Sequence, residues 1–419
     1  MSLKQKAYIS LLLFVIISNV SLFLLISNFG MMQHPHDVDR RANGNTLIST
    51  LSSTELFLHL LASYSDITVV PNNAEHKIVE VDQNGNILWE FIGLSWPHEI
   101  FELPNEHLLV ADTGYDRVIE IDYPNKNIVW EWKPELINWT EVNPAWGSDH
   151  YFNTKTAFDW THLNDVDFKQ YETWNACLVS IRNFDLIVEI NYTAESIGPS
   201  NNPANILWWY GDYENHSLIY MQHNPDYLEN GNIIIADSTN NRILEINKTS
   251  KQVVWSYAEG LKWPRDANVL DNGNVLITDS FNHRIIEVNK DTKEIVWFFK
   301  GDLIFPYEAD MLENENILFG SADGTVYEIN KDGIVIWRYG VSYGKIVIYL
   351  NLTTLIITEL VNIGVIYKKW KRNNLTHKEK KKRGAFIAIH SVIIIFSIII
   401  LITHPALIII FFNGFLGYL

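Results

Sequence analysis

The chain has 419 residues, 47 % of them hydrophobic and 19 % charged, with a net charge of −17 and a single cysteine, Cys177. The acidic balance argues against nucleic acid as a partner. One cysteine excludes an internal disulfide, no Cys/His metal motif occurs, and the length leaves room for one large domain plus membrane segments.

In chain order, Ala7 to Phe29 follows MSLKQK and is long enough to span a bilayer. No small-residue cleavage signal follows it, so residues 1–29 read as a transmembrane anchor and residues 30–65 as a linker or lead-in. Residues 66–344 then carry a repeat, counted by strands that close on tryptophan: ILWEF (Trp89), IVWEW (Trp130), ILWWY (Trp208), VVWSY (Trp255), IVWFF (Trp297) and VIWRY (Trp337). Most spacings are 40 to 47 residues, the length of a four-stranded propeller blade. The interval from Trp130 to Trp208 is nearly double and holds an insertion. Alternating β-branched and aromatic runs between Asn-Gly turns read as antiparallel hairpins. The expected domain is an all-β, six-bladed β-propeller.

The first unit is incomplete on this reading. HKIVEVDQNGNILWEF supplies two outer strands and DITVVPNNA an inner one, while Glu55–Leu61 or the stretch after Trp337 would close the ring.

Beyond the propeller, residues 345–367 read as a second transmembrane helix, interrupted by Asn351, Glu359 and Asn362. Residues 385–419 hold a third, Ala385 to Thr403, and an apolar tail. The loop between them, within 368–384, carries nine Lys/Arg and one Glu from Lys368 to Arg383. Positive loops stay cytoplasmic, and Lys4 and Lys6 put the N-terminus on the same side. The expectation is a three-span cell-membrane protein with an extracytoplasmic propeller. Removing the loop's +8 leaves about −25 on the rest, so an anionic substrate would need a local cationic cluster.

Such a cluster is visible in the repeats. WPHEIF from Trp96, FDWTHLNDVDF from Phe158, YMQHNPDY from Tyr220, WPRDANV from Trp263 and FPYEADM from Phe305 align at their starts. His98, His162, His223, Arg265 and Tyr307 thereby read as one equivalent position, pointing at a common axis. A second equivalence places Asp112, Asp237 and Asp279 together, followed by Thr113, Ser238 and Ser280; LVSIRN puts Arg182 there instead. One histidine at a strand start is ordinarily a satisfied structural residue. Three, beside a planar and permanently charged guanidinium, suit a tetrahedral oxyanion better than packing. The tryptophans read as blade packing and Tyr307 as structural.

WTHLNDVDF…LVSIRN resembles the His-x-Asn…Ser-x-Arg signature of arylsulfate sulfotransferases, propeller enzymes that use no activated nucleotide donor. YMQHNPDYLENGNIIIADS is similar to their Gln-His segment, and WPHEIFELPNEHLLVAD to an earlier histidine-bearing blade. The resemblance spans roughly Asp66 to Tyr339, and the His-Arg unit is its most specific part. It implies sulfuryl transfer from a small-molecule aryl sulfate to a phenol, by a ping-pong route through a sulfo-histidine. His223 would be the nucleophile, His98, His162 and Arg182 the other catalytic groups, and Arg265 and Asn164 substrate-binding residues, with no metal or cofactor needed. The competing expectation is a non-catalytic propeller that serves as a binding or scaffold module.

Overall fold

The computed structural model describes residues 33–52, 76–146, 160–192, 205–301 and 305–340. These residues form six four-stranded antiparallel sheets, each built from strands consecutive in sequence: a six-bladed β-propeller. The inner strands are Gln33–Arg40, Pro97–Glu102, Leu163–Gln170, His223–Tyr227, Pro264–Val269 and Pro306–Met311 in blades one to six.

The first blade corrects the sequence reading. Its two inner strands, Gln33–Arg40 and Thr46–Ser52, come from the stretch taken as a lead-in, so the propeller starts at Gln33 rather than at residue 66. Lys77–Val81 and Ile87–Ile92 are its two outer strands, as expected. DITVVPNNA and Glu55–Leu61 both lie outside the described residues, and neither is needed to complete the sheet. All three expected membrane spans also fall outside the described residues; among those described, no helix is long and apolar enough to cross a membrane.

The sequence dictates each blade through a short list of repeated contacts. In Asn230-Gly231-Asn232, the glycine takes φ +82° while both asparagine side chains donate to Glu245 on the third strand, at 3.0 and 2.6 Å. Asn272 and Asn274 do the same to Glu287, and Asn314 and Asn316 to Glu328. The carboxylates are thus satisfied where they enter the sheet. The outer-strand tryptophans join neighbouring blades: the indole N–H of Trp208, Trp255 and Trp297 donates to the carbonyls of Lys248, Lys290 and Lys331 in the next blade.

Burial follows the same plan. Each pair of adjacent blades encloses its own apolar layer, including one between the last blade and the first formed by Val38, Ile48, Val79, Val81, Leu318 and Val326. That last junction closes the ring without strand exchange. Trp337 donates to the Gln83 carbonyl at 2.9 Å, Arg40 pairs with Glu328 at 2.8 Å, and a Cβ on Gly320 would stand 2.8 Å from the Pro35 carbonyl. Glycine is required there by the closeness of the two strands.

Candidate active site

Strand register decides which residues face the axis together. In blades one, two, five and six, Pro35, Pro97, Pro264 and Pro306 pair with Thr50, Asp112, Asp279 and Ser321, and a bulge follows each. The residues after these prolines are His36, His98, Arg265 and Tyr307. In blade three, Leu163 pairs with Ile181, which puts Asn164 at that position and His162 two residues earlier. His162 has φ +44°, like Trp96, Trp263 and Phe305 at +53°, +50° and +42°, which precede the proline in their own blades. The sequence alignment therefore misplaced His162 by two positions. In blade four, His223 follows Gln222 in the place of the prolines.

The shift does not remove His162 from the cluster. Its ring lies 4.9 Å, centroid to centroid, from that of His98, which lies 3.8 Å from His36. His36 stacks on Tyr307 at 4.6 Å, and the Arg265 guanidinium sits over Tyr307 at 4.7 Å while donating to His36 Nε2 at 3.0 Å. His36 is a site residue that the sequence reading missed. The signal was present, since Pro35-His36-Asp37 in the first blade parallels Pro97-His98-Glu99 in the second.

Hydrogen bonds fix the tautomers that matter. Ser238 Oγ donates to the Pro264 carbonyl at 2.6 Å, so its lone pair accepts the Nδ1–H of His223 at 2.7 Å. That leaves His223 Nε2 with its lone pair, buried and without a hydrogen-bond partner. His98 Nδ1 likewise donates to the Trp96 carbonyl at 2.9 Å, leaving Nε2 as an acceptor. Thr113 and Ser280 also donate to next-blade carbonyls, of Leu163 and Pro306, at 2.6 Å. Asp112, Asp237 and Asp279 pair with Arg117, Arg242 and Arg284, each joining the second and third strands of its own blade.

Arg182 replaces the Thr/Ser of that series. Its side chain meets Asn183 Oδ1 at 3.2 and 3.3 Å. Its charge reaches the histidines: burial first, then Arg182 and Arg265, hold His162 well below the usual histidine range. His223 is lowered for the same reasons, with Arg265 ahead of Arg182, and His98 by burial, His162 and Arg265. Burial, His98 and Arg265 lower His36. Arg265 itself is brought down to about 10, chiefly by burial, and stays charged at neutral pH. The site therefore combines neutral imidazoles with two cationic guanidiniums.

Asn164 spans to the fourth blade, donating to the Gln222 carbonyl at 2.9 Å, and its Oδ1 is buried without a partner. Gln222 is anchored by Ser180 Oγ and the Leu186 carbonyl. These contacts set the loop that carries His223. One residue further along the inner strands of blades one, two, three, five and six, Asp37, Glu99, Asp165, Asp266 and Glu308 form an acidic layer next to the histidines. Burial pushes Asp37 up to about 6 and Asp266 to about 7. Burial and then neighbouring carboxylates raise Glu99, Asp165 and Glu308 further.

Comparison with known proteins gives distant similarities to solved structures and a partial family match. No curated protein matches the chain. Among solved structures, a protein of unknown function from Bacteroides caccae is similar at 12 % identity and TM-score 0.43, covering 64 % of this chain and 90 % of its own. Virginiamycin B lyase from Staphylococcus aureus is similar at 10 % identity and TM-score 0.45, covering 74 % and 84 %. Residues 91–222 match the family model Arylsulfotransferase (ASST), a span that contains His98, His162, Asn164 and Arg182 and stops one residue before His223. Over that span, about a third of the chain, the propeller is similar to the arylsulfotransferase family.

Proposed function

We propose that the protein is a membrane-anchored aryl-sulfate sulfotransferase that moves a sulfuryl group from a phenolic sulfate ester to a phenol through a sulfo-histidine at His223. The observation that carries this reading is the state of His223: a neutral imidazole whose Nδ1–H is held by Ser238 and whose Nε2 has no partner, close to two guanidinium charges. A neutral imidazole is the better nucleophile, and a fixed tautomer presents one nitrogen for attack.

In the first half-reaction, Nε2 attacks sulfur, the N–S bond forms, and the S–O bond to the aryl group breaks. The departing phenolate takes a proton from solvent, since His98 is neutral and its Nε2 carries none. In the second, His98 Nε2 accepts the proton of the incoming phenol and passes it to solvent; the phenol oxygen bonds to sulfur, the N–S bond breaks, and His223 returns to its neutral form. Sulfuryl transfer resembles phosphoryl transfer, with charge spread over three equatorial oxygens. Arg182 and Arg265 supply donors and charge for those oxygens, and His162 and Asn164 border the same space. His223 is fully buried, so the donor reaches it through side-chain movement beside Trp263, whose ring centroid lies 6.1 Å away.

The test is chemical. Protein incubated with an aryl sulfate and no acceptor, then quenched at alkaline pH, should gain one SO3 on the peptide bearing His223. His223→Ala should fold, form no adduct and release no phenol. An adduct on His98 or His162 would move the nucleophile; phenol release without any adduct would mean direct transfer. A wild-type protein that neither labels nor turns over would favour a binding or scaffold propeller.

A further inference from the structure

The acidic layer next to the histidines is not used by sulfuryl transfer, and its geometry has a consequence of its own. One carboxylate oxygen from each of Asp37, Glu99 and Glu308 lies within 4.8 Å of the other two. The three residues come from blades one, two and six and hold equivalent register positions. Asp165 lies against Glu99 from blade three, and Asp266 acts on Glu308 from blade five. The groups that act on Glu99 most strongly are all acidic: Asp37, Glu308, Asp165 and Asp39.

A second observation points to a ligand. Asp37 is fully buried; its Oδ2 accepts the Ile100 N–H at 2.7 Å, but Oδ1 accepts no hydrogen bond. Asp165, 2 % exposed, has an equally unpartnered Oδ2. A buried carboxylate oxygen without a donor is costly, and a ring of them more so. Native proteins neutralise such groups with shared protons or with a cation.

We propose that the acidic layer beside the histidine cluster binds one calcium-sized divalent cation, ligated by Asp37, Glu99 and Glu308, with water and the flanking carboxylates completing the shell. Carboxylate oxygens select hard cations. Three carboxylates brought together from separate blades suit calcium, which accepts irregular geometry, better than magnesium, which demands a near-ideal octahedron. The placement gives the ion a structural role. Glu308 and Asp37 sit on the last and first blades, which meet without strand exchange, and Glu99 is on the next blade. A cation there ties the seam of the ring at the axis. No sequence motif announces it, because each ligand comes from a different blade.

The experiment uses the intact chain, stripped with chelator and dialysed. Calcium alone should be retained at about one equivalent per chain by elemental analysis after desalting. Saturating calcium should raise the thermal midpoint by about 5 °C or more, and magnesium should raise it less. Asp37→Asn and, separately, Glu99→Gln should each remove most of the calcium-dependent rise; because the comparison is with and without calcium in one variant, a lower baseline does not obscure it. The wild-type measurement stands alone if a variant does not fold. An unchanged wild-type midpoint with no retained metal would overturn the proposal and assign neutralisation to protons shared between carboxyls such as Asp37 and Glu308. A calcium response that persists in both variants would place the ion elsewhere and overturn it as well.

Discussion

Arg182 shows how much one substitution in a repeat can reveal. Thr113, Ser238 and Ser280 occupy its position elsewhere and bond the next blade, whereas Arg182 projects a charge that depresses three histidines. Lysine would keep the charge but not the planar pair of N–H donors that fits adjacent sulfuryl oxygens. Arg182→Lys should therefore fold normally and lose about 100-fold in turnover, the usual effect of removing one preorganised donor; wild-type rates would make Arg182 structural. Charge and rate separate in a second measurement. Burial, Arg265 and Arg182 lower the His223 pKa, with His162 and His98 adding to it. Protonation removes the nucleophile, so the acid limb of kcat/KM should lie below the ordinary histidine value near 6.5. Arg182→Gln removes one of the cations and should move that limb upward, toward 6.5; a limb that stays put would show that Arg182 does not face His223. Residue identity was legible here from sequence, because a guanidinium in a Thr/Ser position stands out. Register was not: His162 aligns with His98 by eye, yet the bulge in blade three puts Asn164 there and His162 two residues back. His36 escaped for another reason, since its strand lacks the aromatic residue before proline that marks blades two, five and six.

At the scale of the strand and the blade, periodicity was enough where each hairpin carried its own turn and its own outer tryptophan. It failed for the first blade, whose second and third strands, Thr46–Ser52 and Lys77–Val81, are separated by a connection far longer than a hairpin turn. The outer tryptophans make a measurable point about the blades. Trp255 joins blade four to blade five, which the chain also links directly. Trp337 joins blade six to blade one, where no short chain connection helps, and its ring also lies over Arg40, the partner of Glu328. Either truncation loses a hydrogen bond and aromatic packing, about 2 to 3 kcal/mol. Trp337→Ala should lower the denaturant midpoint more than Trp255→Ala, because its loss opens the seam instead of loosening a tethered junction. Equal midpoints would show that the seam is held by its apolar layer and not by the indole.

The whole molecule joins an acidic propeller to three apolar segments with a cationic loop between the last two, and the charge distribution makes an argument about sidedness that does not depend on the chemistry at the axis. Nine Lys/Arg within Lys368–Arg383, and Lys4 and Lys6 ahead of the first apolar run, favour the cytoplasmic face at both ends of the propeller domain. On the proposed three-span reading, the propeller would lie on the opposite face, where its axial site would meet aryl sulfates arriving from outside the cell. The single cysteine, Cys177, is buried with its thiol pushed up by burial, so an oxidising compartment gives it no partner and little reactivity. Protease added to intact cells or spheroplasts should cut propeller loops and leave the Lys368–Arg383 loop whole, despite its many lysine and arginine sites. After permeabilisation, the same loop should be cut at once. Cleavage of the basic loop with the membrane intact would invert the topology, put the site in the cytoplasm, and require an intracellular phenol and sulfate ester as its substrates.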